Sequence, residues 1–212
     1  MRRTFWGSTI CTKTFWGSIL LAGSLCATPL LQAQQVFHQL SGDLAVTYSI
    51  ERAKIASIDC GCFWLQGGSV SGAISLFHGL GIAANFTGEH AANIAPGEDL
   101  SKIAFMAGPR YTLHASHGDG WFSEKRRITV FGEALFGVAH GFDSVFPTSS
   151  GFETSANSFS LQVGGGLNLS LTKHFGVRAF EADYVHTSLP NSLGNTQNDF
   201  RFAFGVTYHL GN

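Results

Sequence analysis

The fold is decided by residues 198–210, which read NDFRFAFGVTYHL. From position 200 every second residue is large and apolar, and the residues between are small or polar. Successive side chains of an extended strand point to opposite sides, so this period of two predicts a strand with one apolar face. The apolar face holds Phe200, Phe202, Phe204, Val206, Tyr208 and Leu210, and the other face holds Arg201, Ala203, Gly205, Thr207 and His209.

Seven further segments show the same alternation upstream. They begin near positions 43, 69, 80, 103, 128, 158 and 179. Each segment is roughly nine to twelve residues long, the length at which a tilted strand crosses a bilayer. One alternating segment is weak evidence, whereas eight in succession predict an all-β protein with antiparallel, up-and-down strands.

The links between the segments alternate in length. The links at 78–79 and 172–174 are short, whereas those at 53–68, 89–101, 140–157 and 187–198 are longer and rich in polar or small residues. Short turns at one end and long loops at the other are typical of outer-membrane barrels. The link at 114–127 is longer than this pattern predicts and carries Lys125, Arg126 and Arg127.

Composition favours a membrane barrel over a soluble one. Charged residues make up 13% of the 212 residues, about half of the roughly 25% typical of soluble domains. The strands of a soluble sandwich or a lipocalin-like barrel also alternate between apolar and polar residues. Here, however, the polar faces are mostly Gly, Ala, Ser and Thr, with few lysines or glutamates to face water. The sequence therefore predicts a transmembrane eight-stranded β-barrel, in which every backbone group can be paired within lipid. A formal net charge of −1 gives no reason to expect nucleic acid as a partner.

The first 33 residues have the pattern of a secretory signal peptide. Arg2, Arg3 and Lys13 precede an apolar stretch at 19–31, and Ala33 is a suitable residue before the cleavage site. We expect residues 1–33 to be removed and residues 34–212 to form the barrel domain.

Four short motifs resemble the OmpA/OmpX-like family of small outer-membrane β-barrels. They are GPRY at 108–111, DY at 183–184, NDFR at 198–201 and GVTY at 205–208. CGCFW at 60–64 resembles members of one environmental branch of the same family. The chain departs from the family at its end, because members commonly finish on an aromatic residue and here four residues follow Tyr208.

The resemblance implies the outer membrane of a Gram-negative bacterium, with lipids and lipopolysaccharide around the barrel. It also implies handling by the barrel-assembly machinery and a non-enzymatic role. That role is either structural, in envelope integrity, or one of surface interaction through four outer loops. The family pattern names no loop ligand, and we expect no cofactor.

Five charged residues fall on the face that would point into the barrel. Eight strands leave a lumen just wide enough for side chains to fill it, and buried charges must pair. We therefore predict a luminal ion network, with a narrow, low-conductance pore as the alternative. By parity Arg178 faces lipid near the inner end, where it could reach lipid phosphates. The predicted network consists of Arg110, Glu133, Glu181, Asp183 and Arg201.

Two cysteines remain after the leader, Cys60 and Cys62 in the first outer loop. An exported loop is an oxidising setting, and the glycine between them makes a small disulfide ring feasible. We expect a disulfide that stiffens the loop rather than a metal site, because no further ligand lies nearby in sequence.

One alternative function is enzymatic. His186 and Ser188 resemble the His-x-Ser pair of outer-membrane lipid A deacylases, in which histidine activates serine and an acid orients the histidine. Asp199 is the nearest acid, but its parity points it inward. Leu189 stands where that family has asparagine, so a non-enzymatic barrel remains the main prediction.

Overall fold

The computed structural model describes residues 41–54, 61–95, 97–115, 128–148, 151–191 and 194–210. The expected signal peptide, the basic segment at 125–127 and Cys60 therefore lie outside the described residues. The eight strands are β1 (Ser41–Lys54), β2 (Cys62–Phe77), β3 (Leu80–Ala95), β4 (Glu98–Ala115), β5 (Ile128–Thr148), β6 (Gly151–Ser170), β7 (Phe175–Thr187) and β8 (Gln197–Leu210).

The strands form a closed, antiparallel, up-and-down barrel. Each strand pairs with its sequence neighbours, and β8 closes the ring by pairing with β1 along Gly42–Arg52. Closure leaves no open sheet edge within the ring, which is what lipid demands of a β-structure. The predicted fold class is confirmed.

The stagger of the strands sets the width of the barrel. The shear number of the barrel is ten: when paired residues are followed strand by strand around the ring from Ser41, the path returns to β1 at Glu51, ten residues further along the strand. With a rise of about 3.3 Å per residue and strands about 4.8 Å apart, this stagger corresponds to a tilt of about 41°. A barrel of this size holds side chains rather than a wide channel.

The barrel is apolar outside and polar inside. Along β8, Phe202, Phe204 and Val206 are at least half exposed, whereas Arg201 and Thr207 are buried. The buried residues around the ring include ten ionisable side chains among those described. A lipocalin-like barrel has the opposite arrangement, so the soluble alternative does not fit. Among the residues described, no helix is long and apolar enough to cross a membrane.

Aromatic side chains mark two levels on the outer surface. Tyr184 and Phe200 pack edge-to-face at 5.8 Å between ring centroids, and Phe175 and Tyr208 do so at 5.1 Å. Phe200 and Tyr208 are separated by about 26 Å of strand, or about 20 Å along the tilted barrel axis. This spacing fits aromatic girdles at the borders of an apolar band about 25 Å tall.

The turn between β2 and β3 follows the prediction. His78 and Gly79 both have positive φ, 47° and 85°. Two such residues in succession are what a two-residue type I′ hairpin requires. We call this end of the barrel, which also holds Ser41 and Leu210, the turn end, and the opposite end the loop end.

The predicted loops at 89–101 and 140–157 were wrong in large part, because strands occupy most of both segments. β3 and β4 remain paired up to Ala95 and Glu98, and β5 and β6 up to Thr148 and Gly151. Both hairpins contain a register shift. Polar residues can continue a strand beyond the apolar band, because backbone pairing does not depend on the side chains. Alternation of hydrophobicity in the sequence cannot reveal such a continuation.

The predicted orientation of Arg178 was also wrong. Its side chain is 1% exposed and lies in the lumen. The cause is a bulge in β7: Arg178 pairs with Asn168 while Phe180 pairs with Leu167, so Ala179 is an extra residue. An extra residue reverses the parity of everything on its far side, so Arg178 joins the inward face.

Candidate functional site

The middle of the lumen holds six charged side chains, which we call the central cluster. Its organising residue is Arg201 on β8. The guanidinium of Arg201 donates to Asp183 Oδ2 at 2.8 Å, to Glu181 Oε1 at 2.7 Å and, across the lumen, to Thr87 Oγ1 at 2.8 Å. The central cluster consists of Arg110, Glu133, Arg178, Glu181, Asp183 and Arg201, all buried.

Arg178 ties the central cluster to the opposite wall. Its Nη1 lies 2.5 Å from Glu181 Oε2 and 3.2 Å from Ser71 Oγ on β2. Its Nε donates to Asn168 Oδ1 at 3.1 Å. The contact with Ser71 spans the lumen from β7 to β2 at this level.

Arg110 completes the central cluster from β4. Its Nη2 lies 2.5 Å from Glu133 Oε2, and its Nε donates to the same oxygen at 2.7 Å. The ring of Phe131 contacts two guanidinium groups, with Arg110 Cζ 4.3 Å and Arg178 Cζ 4.5 Å from the ring centroid. Cation–π contacts of this kind stabilise desolvated arginines.

Charge in the central cluster is balanced. Three arginines face Glu133, Glu181 and Asp183, whose nearest ligand atoms lie within 4.8 Å of one another. Three carboxylates at that spacing could hold a metal ion in another setting. Here the arginines neutralise them directly, and we therefore read this group as an ion-pair network.

A second group of charges, the acidic cluster, lies nearer the loop end. Lys102 on β4 crosses the lumen to an ion pair with Glu51 on β1 and lies 3.3 Å from Glu89 Oε2. Ser49 donates to Glu89 Oε1 at 2.7 Å. The fourth member, Asp199, is 5% exposed. Two of these carboxylates pair with the Lys102 ammonium, and Asp199 is hydrogen-bonded to Glu51.

Beyond the acidic cluster the interior becomes apolar and opens into a cavity of about 220 Å³. Ala53, Leu65 and Ala91 form a buried apolar group at this level. The segment after β7 covers one side, where Gln197 Nε2 donates to Leu189 O at 2.9 Å. The floor of the cavity includes Glu51, Lys102 and Asp199, and its apolar lining includes Phe63, Leu65, Ile94, Leu100, Phe146 and Leu189.

The structure places all five predicted luminal residues in the interior and brings them into the central cluster. Sequence reasoning missed the luminal position of Arg178 and did not assign Glu51, Glu89 or Lys102 to the lumen, although it did place Asp199 inward. Glu51, Lys102 and Asp199 have inward parity, but they fall just beyond the ends assigned to their alternating segments. Extending each of these strands by one residue would have found them.

The cysteine prediction falls partly outside the described residues. Cys62 begins β2, is exposed, and accepts a hydrogen bond from Arg52 Nη2 at 3.7 Å. Its expected partner, Cys60, is not described, so the disulfide stays a prediction.

The residues of the enzymatic alternative are not arranged as a triad. His186 Nδ1 lies 2.8 Å from Asn198 Oδ1, so an amide is its hydrogen-bond partner. Asp199 is buried in the interior, on the opposite side of the strand from Asn198. Leu189, at the position of the family's asparagine, is buried in the cavity lining. Among the described hydrogen bonds, His186 is bonded to Asn198 and not to an acid.

No protein-family model matches the sequence, and no curated protein matches it either. Among solved structures the barrel is similar to Neisserial surface protein A, with a TM-score of 0.56 and 14% identity over 79% of this chain and 96% of that one. It is also similar to Ail, the attachment invasion locus protein of Yersinia pestis, solved with the heparin analogue sucrose octasulfate. That comparison gives a TM-score of 0.49 and 17% identity over 81% of this chain and 99% of that one. A third similar structure is the N-terminal β-barrel domain of Pseudomonas aeruginosa OprF, with a TM-score of 0.41 and 15% identity over 79% and 97% of the two chains.

Proposed function

We propose that this chain, which has the fold of the small eight-stranded outer-membrane β-barrels, lies in the outer membrane and makes non-enzymatic surface contacts through its loop end. The apolar outer surface supports the location, since a protein rarely exposes an apolar belt of this size to water. Outer-membrane lipids and lipopolysaccharide would surround this belt, and the barrel-assembly machinery would insert it.

The observation that carries the interaction role is the projecting β5–β6 hairpin. β6 pairs with β7 only from Ser160 onward, whereas its pairing with β5 continues to Gly151. Residues 151–159 amount to about 30 Å of strand beyond the end of its other neighbour. Phe152 is 76% exposed there. This hairpin presents side chains and one free backbone edge away from the bilayer.

The same observations weigh against a pore. Arg201 and Lys102 reach across the lumen to partners on other strands at two levels, and Arg178 does so at a third. A conducting path would require these contacts to break, which is costly for buried charges. Planar-bilayer recordings of the purified barrel test this alternative, and we expect no discrete conductance steps.

Hydrolysis of lipid A has weaker support, because His186 is hydrogen-bonded to an amide and not to an acid. A serine-directed fluorophosphonate label tests this alternative. We expect that Ser188 does not react with the label, so that the wild type and Ser188→Ala are labelled to the same extent.

The interaction role is tested by shortening the hairpin. Phe142 and Ser155 are paired, so a two-residue Asn-Gly turn can replace residues 143–154 without changing the register below them. Cells carrying this variant should lose adherence to surfaces and to one another. The barrel should keep its heat-modifiable migration on gels of the outer-membrane fraction.

The matched control is Glu153→Gln, which changes one exposed charge but keeps the hairpin. Unchanged adherence in the shortened variant would contradict the interaction role. If deletion of the whole protein then made cells sensitive to detergent, the role would be structural, in envelope integrity.

A further inference from the structure

Three side chains at the turn end form a serine–histidine–aspartate arrangement. Ser170 lies on β6, His209 on β8 and Asp43 on β1, and all three are half-buried on the inward face. We propose that Ser170 is a nucleophile activated by His209, and that this site transfers small acyl groups from esters. This activity goes beyond the surface contacts proposed above, because it lies at the end of the barrel opposite the projecting hairpin.

The two hydrogen bonds of the His209 ring carry the first step. Its Nδ1 lies 2.5 Å from Asp43 Oδ1, and its Nε2 lies 3.3 Å from Ser170 Oγ. An ionised carboxylate only accepts hydrogen bonds, so Nδ1 carries the proton of the neutral imidazole and Nε2 accepts the hydrogen bond from Ser170. Acid, base and hydroxyl therefore stand in the order that activates serine for attack on an acyl group.

The pairing of the strands brings these residues together. Asp43 and His209 are directly paired across β1 and β8, and the backbone N of His209 donates to His174 O at 2.7 Å. β7 lies between Ser170 and β8, and its residue opposite Ser170 is Gly176. A Cβ at position 176 would lie 3.3 Å from His209 Nε2. The absence of a side chain there lets the imidazole extend over β7 to the serine.

Exposure distinguishes this group from the ion pairs in the middle of the lumen. The side chains of His209 and Asp43 are 20% and 23% exposed, so water and a small molecule can reach them from the turn end. The side chains that pair around Arg201 are 1% exposed or less. The turn-end group is therefore open to a substrate, whereas the central cluster is sealed.

The width of the barrel limits the substrate. Eight strands leave a lumen that side chains nearly fill, so only a small acyl group can lie against Ser170. Ser170 is the last residue of β6, which places its hydroxyl at the mouth of the barrel. Short turns face the periplasm in outer-membrane barrels. An ester with a short acyl chain, presented from the periplasmic side, is the substrate class that this position admits.

The reaction needs only the ester and water. Ser170 Oγ forms a bond to the acyl carbon and passes its proton to His209 Nε2. The bond between the acyl carbon and the leaving oxygen breaks, and that oxygen takes the proton from Nε2. Water then attacks the acyl carbon, gives a proton to Nε2 and releases the acid, and the Ser170 oxygen recovers its proton from Nε2. Asp43 acts as a positioning residue, since it holds the imidazole in the orientation that both steps need.

The experiment uses the mature barrel refolded in detergent micelles, with 4-nitrophenyl acetate as the ester. The wild type should release nitrophenolate faster than micelles alone, and a fluorophosphonate should attach to Ser170, as located by peptide mass spectrometry. Ser170→Ala should lower the rate to that of the micelles and remove this label. His209→Gln should slow both reactions by about a hundredfold or more, since general-base catalysis contributes about 10²–10⁴-fold.

Two further variants separate chemistry from structure. Ser75→Ala is the matched control, because it removes another half-buried serine from the inward face at the same end, and it should react as the wild type does. Asp43→Asn should slow ester hydrolysis by about tenfold or more. In the same folded variant the downfield proton resonance of His209 Nδ1, expected for a hydrogen bond to a carboxylate, should move upfield.

Equal hydrolysis and equal labelling in the wild type and a folded Ser170→Ala protein would overturn the proposal. So would attachment of the fluorophosphonate only at other residues, or a wild type that is no faster than the micelles. Heat-modifiable migration on gels shows which variants are folded. If Ser170→Ala fails to fold, His209→Gln decides, and an unchanged rate in that variant contradicts the role of His209 as the base.

Discussion

Replacing Arg201 with methionine should destabilise the barrel strongly. Arg201 is 1% exposed and ion-pairs with both Glu181 and Asp183. Methionine fills much of the same volume, so the main effect is loss of the guanidinium rather than creation of a void. Glu181 keeps its ion pair with Arg178, but Asp183 is left without its cation.

Removing one partner of a buried ion pair typically costs about 3–5 kcal/mol in the free energy of unfolding. With a urea dependence of about 2 kcal/mol per molar, a loss of about 4 kcal/mol lowers the unfolding midpoint by about 2 M. The double variant Arg201→Met with Asp183→Asn removes the orphaned charge as well. It should recover a substantial part of the loss, because the two residues act as one unit.

The measurement is urea unfolding of the barrel in lipid vesicles, followed by heat-modifiable gel migration. The matched control is Arg52→Met, which replaces an exposed arginine and should change the free energy of unfolding by about 0.5 kcal/mol or less. A free energy of unfolding for Arg201→Met within about 1 kcal/mol of the wild type would refute this role of Arg201. A double variant less stable than Arg201→Met alone would refute it as well.

Three further predictions follow from the same structure. Arg178→Leu should lower the free energy of unfolding by about 3 kcal/mol or more. If Arg178 faced lipid, the same change would stabilise the barrel. Gly205→Ala should lower the urea midpoint, because its Cβ would lie 2.1 Å from a backbone oxygen of β1, and Gly88→Ala should not, since nothing lies within 4 Å there. Cys60 and Cys62 should react with maleimide only after reduction, and labelling without reductant would contradict the predicted disulfide.

Much of the fold could be predicted because the bilayer imposes a strict pattern. Lipid accepts only apolar side chains and paired backbone, so each strand alternates, and the turns at 78–79 and 172–174 are short. The alternation of apolar and polar or small residues from Phe200 to Leu210 follows directly from this constraint. The same argument located Arg201 and Asp183 in the lumen.

What escaped prediction lies where that constraint is weaker. Above the apolar band, strands continue through backbone pairing alone, so the extensions of β3 to β6 left no periodic signal. The extra residue at Ala179 reversed the parity of Arg178, and a bulge is visible only in the pairing of neighbouring strands. The acidic cluster depends on contacts across the lumen, such as Lys102 with Glu51, which join residues far apart in sequence.

The central claim is that lipid covers the face formed by Phe202, Phe204 and Val206, while Ala203 faces the lumen. Spin labels placed one at a time at these four positions, in the vesicle-inserted barrel with Cys60 and Cys62 replaced by serine, test it directly. The structure predicts high collision rates with oxygen dissolved in the bilayer at positions 202, 204 and 206, and a low rate at 203. Uniform rates along the strand, or access for a water-soluble nickel complex at the three apolar positions, would contradict the claim.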